Sequence, residues 1–170
     1  MRPASWVWLP VAAVSTSVYA TTYLSVEQAQ QLMFPGATLT ALPVALSAAQ
    51  QAELARALGG MAPPRPWHVW RVAGGGFFVV DEVLGKHELI SYAVGLNADG
   101  SVRQLEILTY RESYGYEIRN ERWRRQFVGK RTALGINRDI QNISGATLSC
   151  SHVTDGVNRI LALYAVALRD

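Results

Sequence analysis

Val153, Val157, Ile160, Leu161, Tyr164 and Leu168 fall at i, i+4, i+7, i+8, i+11 and i+15, a spacing that only a helix turns into one continuous apolar stripe. A helix with one apolar stripe must bury it against a second layer. The middle of the chain supplies that layer. Leu89 to Leu96 and Val102 to Tyr110 are β-rich runs on either side of Asn97-Ala-Asp-Gly100, and Asp-Gly between such runs signals a hairpin. Trp67 to Val72 and Phe77 to Val83 read as two more strands around Gly74-Gly75-Gly76. In the Val102–Tyr110 run, strict alternation places Leu105, Ile107 and Thr109 on one face, and Glu106, Leu108 and Tyr110 on the other. Upstream, Ser25-Val-Glu-Gln28 and Ser47-Ala-Ala-Gln50 are capping boxes. The first opens a helix through Met33 that Pro35-Gly36 stops, and the second opens a helix ended by Gly59-Gly60. The proline-rich stretch from Gly59 to Pro66 reads as a loop. Asn120 to Val128 reads as a helix that Gly129 stops, with Trp123 and Phe127 one turn apart. Helices, then strands, then helices predict the α+β class, a single domain with a mostly antiparallel sheet and flanking helices.

The N-terminus carries a separate signal. Arg2 precedes an apolar run from Trp6 to Val14, broken only by Pro10, and Val18-Tyr19-Ala20 fits a signal-peptidase site. The expectation is an export signal over residues 1–20 and a mature domain over 21–170, placed in the periplasm or another extracytoplasmic space. A retained inner-membrane anchor is the competing reading, but the apolar run has nine residues where a span needs about 20. Cys150 is the single cysteine, so an intrachain disulfide is impossible. The formal net charge of +3 is too small to argue for nucleic acid.

The segment with chemical content is Asp139-Ile-Gln-Asn-Ile-Ser-Gly-Ala-Thr-Leu-Ser149, directly ahead of the closing helix. Ser144, Thr147, Ser149 and Ser151 set hydroxyls at the helix entrance, while Gly145 and Ala146 keep the backbone bare for close approach. The first turn of a helix offers N–H groups and partial positive charge. Together these suit an anion, most naturally a phosphate. An ordinary N-cap with spare hydroxyls accounts for the same residues.

Ser144-Gly-Ala-Thr-Leu-Ser149 resembles the attachment motif of the FMN-binding domain family, which includes the FMN-bearing subunits of Rnf complexes and of sodium-pumping NADH:quinone reductases. The resemblance implies FMN joined to Thr147 by a phosphoester, with Ser144, Gly145, Ala146, Leu148 and Ser149 around it. It implies a magnesium-dependent flavin transferase as partner, with FAD as donor, and makes Thr147 an acceptor rather than a catalytic residue. Tyr110-Arg-Glu-Ser-Tyr-Gly-Tyr116 is similar to the family's flavin-side loop, which brings in Glu112, Tyr114, Gly115 and Tyr116. Gln126-Phe-Val-Gly-Lys130 and the Ala29–Gly36 stretch are similar to further blocks, so the likeness runs from about Tyr23 to Leu163. Two positions depart from the pattern. Gln141 stands where the family usually has an aspartate, with Asp139 two residues earlier, and the loop has Glu-Ser-Tyr-Gly where large-complex subunits tend to have Glu-Thr-Pro-Gly.

The resemblance implies an exported electron carrier, with redox donor and acceptor proteins that include membrane-bound ones. Two rivals stand beside it: a reductase of a small acceptor, with Glu112 or Tyr114 as proton donor, and a non-redox binding domain that has lost flavinylation. Tyr114 and Tyr116 suit either the flavin ring or core packing. Arg119, Arg122, Arg124, Arg125, Lys130 and Arg131 form a basic cluster that reads first as a solvated face and second as a docking face for an acidic partner or anionic membrane. His68, His87 and His152 lack metal-ligand spacing. Cys150 reads as a small buried filler.

Overall fold

The closing apolar stripe and both capping boxes become the helices they predict. The computed structural model describes residues 21–60 and 66–169. The expected export signal and residues 61–65 of the Gly59–Pro66 loop lie outside the described residues. In chain order the elements are β1 (Thr21–Thr22), α1 (Val26–Met33), β2 (Leu39–Leu42), α2 (Ala48–Ala57), β3 (His68–Val72), β4 (Phe77–Leu84), β5 (Leu89–Leu96), β6 (Val102–Tyr110), α3 (Glu121–Arg124) and α4 (Thr147–Leu163). The class is α+β. One six-stranded sheet runs in the order β1-β6-β5-β4-β3-β2, and every neighbouring pair is antiparallel.

Both capping boxes form. The Ser25 hydroxyl accepts from the Gln28 N–H at 3.1 Å while the Gln28 side chain accepts from the Ser25 N–H at 2.8 Å. Ser47 and Gln50 repeat the exchange at 3.3 and 3.0 Å. The expected helix over Asn120–Val128 is shorter than its pattern: α3 makes one turn, capped by Asn120, and tightens into a 3₁₀ turn over Arg125–Phe127.

The α4 stripe packs on one face of the sheet. Val153, Val157, Ile160 and Leu161 meet Val79 and Val83 of β4, Ile90, Tyr92 and Val94 of β5, and Leu105 and Ile107 of β6 in one core. Ala29, Met33 and Phe34 cover part of the opposite face, against Phe78, Ala93 and Leu108. Burying side chains of this size stabilises by about 1.5–3 kcal/mol each.

Strict alternation along β6 fails at its end. The register against β5 shifts between Ser91 and Tyr92. The extra residue turns Tyr110 onto the α4 face with Leu105 and Ile107, and leaves Leu108 on the α1 face. The expected pairing of Tyr110 with Leu108 is thereby corrected, and Tyr110 is delivered to the start of α4.

A polar group is built into the α4 core. Tyr92 is fully buried and its hydroxyl donates to Asp81 Oδ2 at 2.6 Å. Arg159 of α4 donates to the same oxygen at 2.8 Å. Burial, then the Asp81 carboxylate, drives the Tyr92 hydroxyl well above its ordinary pKa, so it stays a donor. Gly156 makes room for it, because a Cβ there would lie 1.9 Å from the Tyr92 oxygen.

Candidate functional site

Thr147 is the first residue of α4 and is exposed. The N-cap is Ala146, and no side chain caps the helix. The first-turn N–H groups have no intrahelical carbonyl to bond, as at every helix start, and the hydroxyls of the motif do not take the capping place. The ordinary-cap reading of this segment therefore fails. Gly145 sits at φ +88°, a left-handed conformation, with open space where a Cβ would be. Ser144 and Leu148 are exposed beside Thr147.

Three contacts hold this exposed corner in place. Tyr110 donates its hydroxyl to the Tyr114 carbonyl at 2.5 Å and lies 3.0 Å from Ser149 Oγ. Ser149 is buried, so its hydroxyl serves this contact, while its N–H belongs to the first turn. Gly115, at φ +90°, closes against them: a Cβ there would lie 2.6 Å from the Tyr110 oxygen, 2.9 Å from Ser149 Oγ and 3.6 Å from Ala146 Cα. The Tyr110–Tyr116 loop is thus in contact with the start of α4. Tyr114 and Tyr116, flanking Gly115, are 84% and 56% exposed, so neither is a core residue.

Glu112 is placed otherwise. Its Oε1 accepts from the His87 N–H at 2.5 Å and the Glu88 N–H at 3.0 Å, which fixes the turn between β4 and β5. Burial raises its pKa, but the N–H groups of Glu88, His87 and Lys86 outweigh burial and hold the carboxyl below its usual range. It is an ionised acceptor with its partners inside the chain.

On the other side of the motif, α3 anchors the approach. Trp123 Nε1 donates to the Gln141 carbonyl at 2.9 Å, and the Gln141 N–H donates to Gln126 Oε1 at 2.7 Å. A cleft of about 440 Å³ opens there, lined by Glu117, Asn120, Trp123, Gln126, Asn142 and Ile143. Asn142 links cleft to motif, since its Nδ2 donates to Thr147 Oγ1 at 3.1 Å. Asp139 does not reach this corner: its Oδ2 accepts from the Gly135 N–H at 2.8 Å and from Arg138 Nε at 2.7 Å.

Much of the basic cluster is engaged by the chain itself. Arg124 pairs with Glu106, Arg125 with Glu121 and Arg131 with Asp99, while Arg119 stacks on Tyr23. Cys150 is fully buried, and burial raises its thiol pKa, as befits a filler. Among the described residues, no three His, Cys, Asp or Glu side chains gather as a metal site. No described helix is long and apolar enough to cross a membrane.

Sequence reasoning missed Tyr110, Trp123, Gln126 and Asn142 as parts of the site. Trp123 was read only as a helix residue one turn from Phe127, and both are buried in the core. Asn142 carried none.

An uncapped, hydroxyl-bearing helix start beside an α+β sheet has the chemistry that suits an anion such as a phosphate. Residues 85–162 match the sequence model of the FMN-binding domain family. The match runs from the turn after β4 almost to the end of α4, so it contains the whole corner described above. It is narrower than the likeness read from about Tyr23. No curated protein matches the chain. FMN is the cofactor this domain implies, and the residues fit it. The uncapped first turn of α4 and the bare Gly145 suit a phosphate, and Tyr114 and Tyr116 are exposed on either side of Gly115.

Proposed function

We propose that this chain is an exported flavoprotein that holds FMN through a phosphoester on Thr147 and passes electrons outside the cytoplasm. One observation carries the reading most: within an FMN-binding domain, the threonine after Gly145-Ala146 is exposed at a helix start that no side chain caps. The phosphate monoester so formed is anionic, and the first turn of α4 favours negative charge by about 0.3–1 kcal/mol. Ser144 and the N–H groups of Leu148 and Ser149 hold the phosphate. Tyr114 and Tyr116 offer faces to the ring, and Leu148 an apolar edge. Flavin supplies the redox chemistry when bound. The chain's residues bind it, orient it and keep it from diffusing away.

Attachment requires an outside enzyme, a magnesium-dependent flavin transferase. Thr147 Oγ1 forms a bond to the FMN phosphorus of FAD, the pyrophosphate P–O bond breaks, AMP leaves, and the hydroxyl proton passes to a base of the transferase. Electron donor and acceptor are proteins, membrane-bound ones included, and residues 1–20 direct export to the periplasm or a comparable compartment.

The test is co-expression of the full chain with such a transferase, followed by a denaturing gel under ultraviolet light. The expected result is a fluorescent band and an intact mass raised by one FMN less water, both lost in Thr147→Ala. A wild-type chain that stays unmodified under conditions where a known acceptor is loaded refutes the reading.

A further inference from the structure

The structure points to a second residue in the attachment step. Asn142 lies five residues before Thr147 and reaches it across the turn at Gly145. Its Oδ1 accepts from the Ile143 N–H at 2.9 Å, which turns its Nδ2 toward the threonine. That Nδ2 donates to Thr147 Oγ1 at 3.1 Å. The backbone just before Asn142 is pinned by Trp123 and Gln126, so the amide is presented from a fixed support. We infer that Asn142 is the positioning residue that sets the Thr147 hydroxyl for esterification. This rests on the phosphoester reading above.

The direction of the hydrogen bond carries the chemistry. An amide N–H donates, so Thr147 Oγ1 accepts, and its own proton points elsewhere. Thr147 then forms the bond to the FMN phosphorus of FAD, AMP departs with the pyrophosphate oxygen, and the hydroxyl proton leaves toward a base of the transferase. Threonine is β-branched and its χ1 choices are few, so one hydrogen bond is enough to select a rotamer. The same N–H suits the product, because an ester or phosphate oxygen is also an acceptor. A carboxylate at position 142 would instead accept the hydroxyl proton and face the incoming phosphate with like charge.

Neighbouring candidates for the task are otherwise engaged. The Asp139 carboxylate is taken up by Gly135 and Arg138. The Gln141 backbone is bound to α3, and the residue is exposed. The Ser149 hydroxyl faces Tyr110.

The experiment uses purified full-length unloaded chain, purified flavin transferase, magnesium and FAD. Initial rates of FMN incorporation are read by in-gel fluorescence and intact mass while the chain concentration is varied. In Asn142→Ala the maximal rate should fall roughly three- to tenfold, the effect of losing one neutral hydrogen bond. The half-saturating concentration and thermal midpoint should stay unchanged. Asn142→Asp, isosteric and able to keep the Ile143 contact, should be slower still and should recover partly at high salt. Wild-type maximal rates in Asn142→Ala, or a defect confined to the half-saturating concentration, overturn the inference and leave the phosphoester reading intact. A wild-type chain that takes up no FMN overturns both.

Discussion

Replacing Gly115 by alanine should cost far more than one methyl group suggests. The added Cβ lies 2.6 Å from the Tyr110 oxygen and 2.9 Å from Ser149 Oγ, and the backbone stays at φ +90°. An alanine held in the left-handed region loses about 1–2 kcal/mol. Moving the Tyr110 hydroxyl aside endangers its bonds to the Tyr114 carbonyl and Ser149, each worth about 0.5–1.5 kcal/mol. Against this, alanine restricts the unfolded chain and returns about 0.4–1 kcal/mol. The net expectation is a loss of about 2–4 kcal/mol. Urea unfolding followed by tryptophan fluorescence and circular dichroism measures it, with an unchanged slope showing that stability alone has moved. The cause is separable by a double-mutant cycle with Tyr110→Phe. That change removes the oxygen the new methyl strikes, so the double variant should be about 1 kcal/mol more stable than additivity predicts. A Gly115→Ala chain within about 0.5 kcal/mol of wild type, or two losses that simply add, refutes the contact as the source.

Gly156→Ala should also destabilise, by about 2 kcal/mol, although alanine is the better helix former by about 1 kcal/mol; the Cβ would overlap the buried Tyr92 hydroxyl, and chemical denaturation should show that Tyr92→Phe relieves part of the loss. Glu112 has a folded pKa below its unfolded value. Its contribution is therefore complete above about pH 4.3 and is lost as pH falls through the folded value. Acid titration of thermal midpoints should show a shallower decline for Glu112→Gln than for wild type over that window, and parallel curves would refute the assignment.

What the sequence made legible was local. The α4 stripe, both capping boxes and the Asp99-Gly100 hairpin depend on neighbours within a few residues, and all form as read. The Asp139–Ser149 segment was placed at a helix entrance for the same reason, and α4 starts at Thr147. Errors arose where geometry depends on a distant partner. The face of Tyr110 was misassigned because a bulge against β5 shifts the register, and nothing in the β6 sequence announces it. β2 went unread because Leu39–Leu42 is a short edge strand whose middle residues are exposed, which leaves no alternation to detect. The role of Glu112 was obscured because its partners, His87 and Glu88, lie in another hairpin. Asn142 is silent in sequence because its contact depends on the turn at Gly145.

On the phosphoester reading proposed above, the start of α4 resolves a conflict that any covalent attachment point faces. The acceptor must be reachable, so it belongs at the surface, yet helix ends are where structure opens first. A serine or aspartate cap would steady the end by about 0.5–2 kcal/mol, but it would spend the very N–H groups that an anion needs. Here tertiary packing stands in for the cap. Ala146 and Cys150 are buried on the inner side of the first turn, and Ser149 is tied to Tyr110. About two to three turns further on, Gly156 and Arg159 lock α4 to Tyr92 and Asp81. The inner face of the helix is therefore fixed by side chains turned into the core. Its outer face keeps Thr147 and the first-turn N–H groups available. Rigidity and access are divided between the inner and outer sides of α4, so on that reading buried residues such as Gly115, Tyr110 and Gly156 serve the site as much as the threonine does.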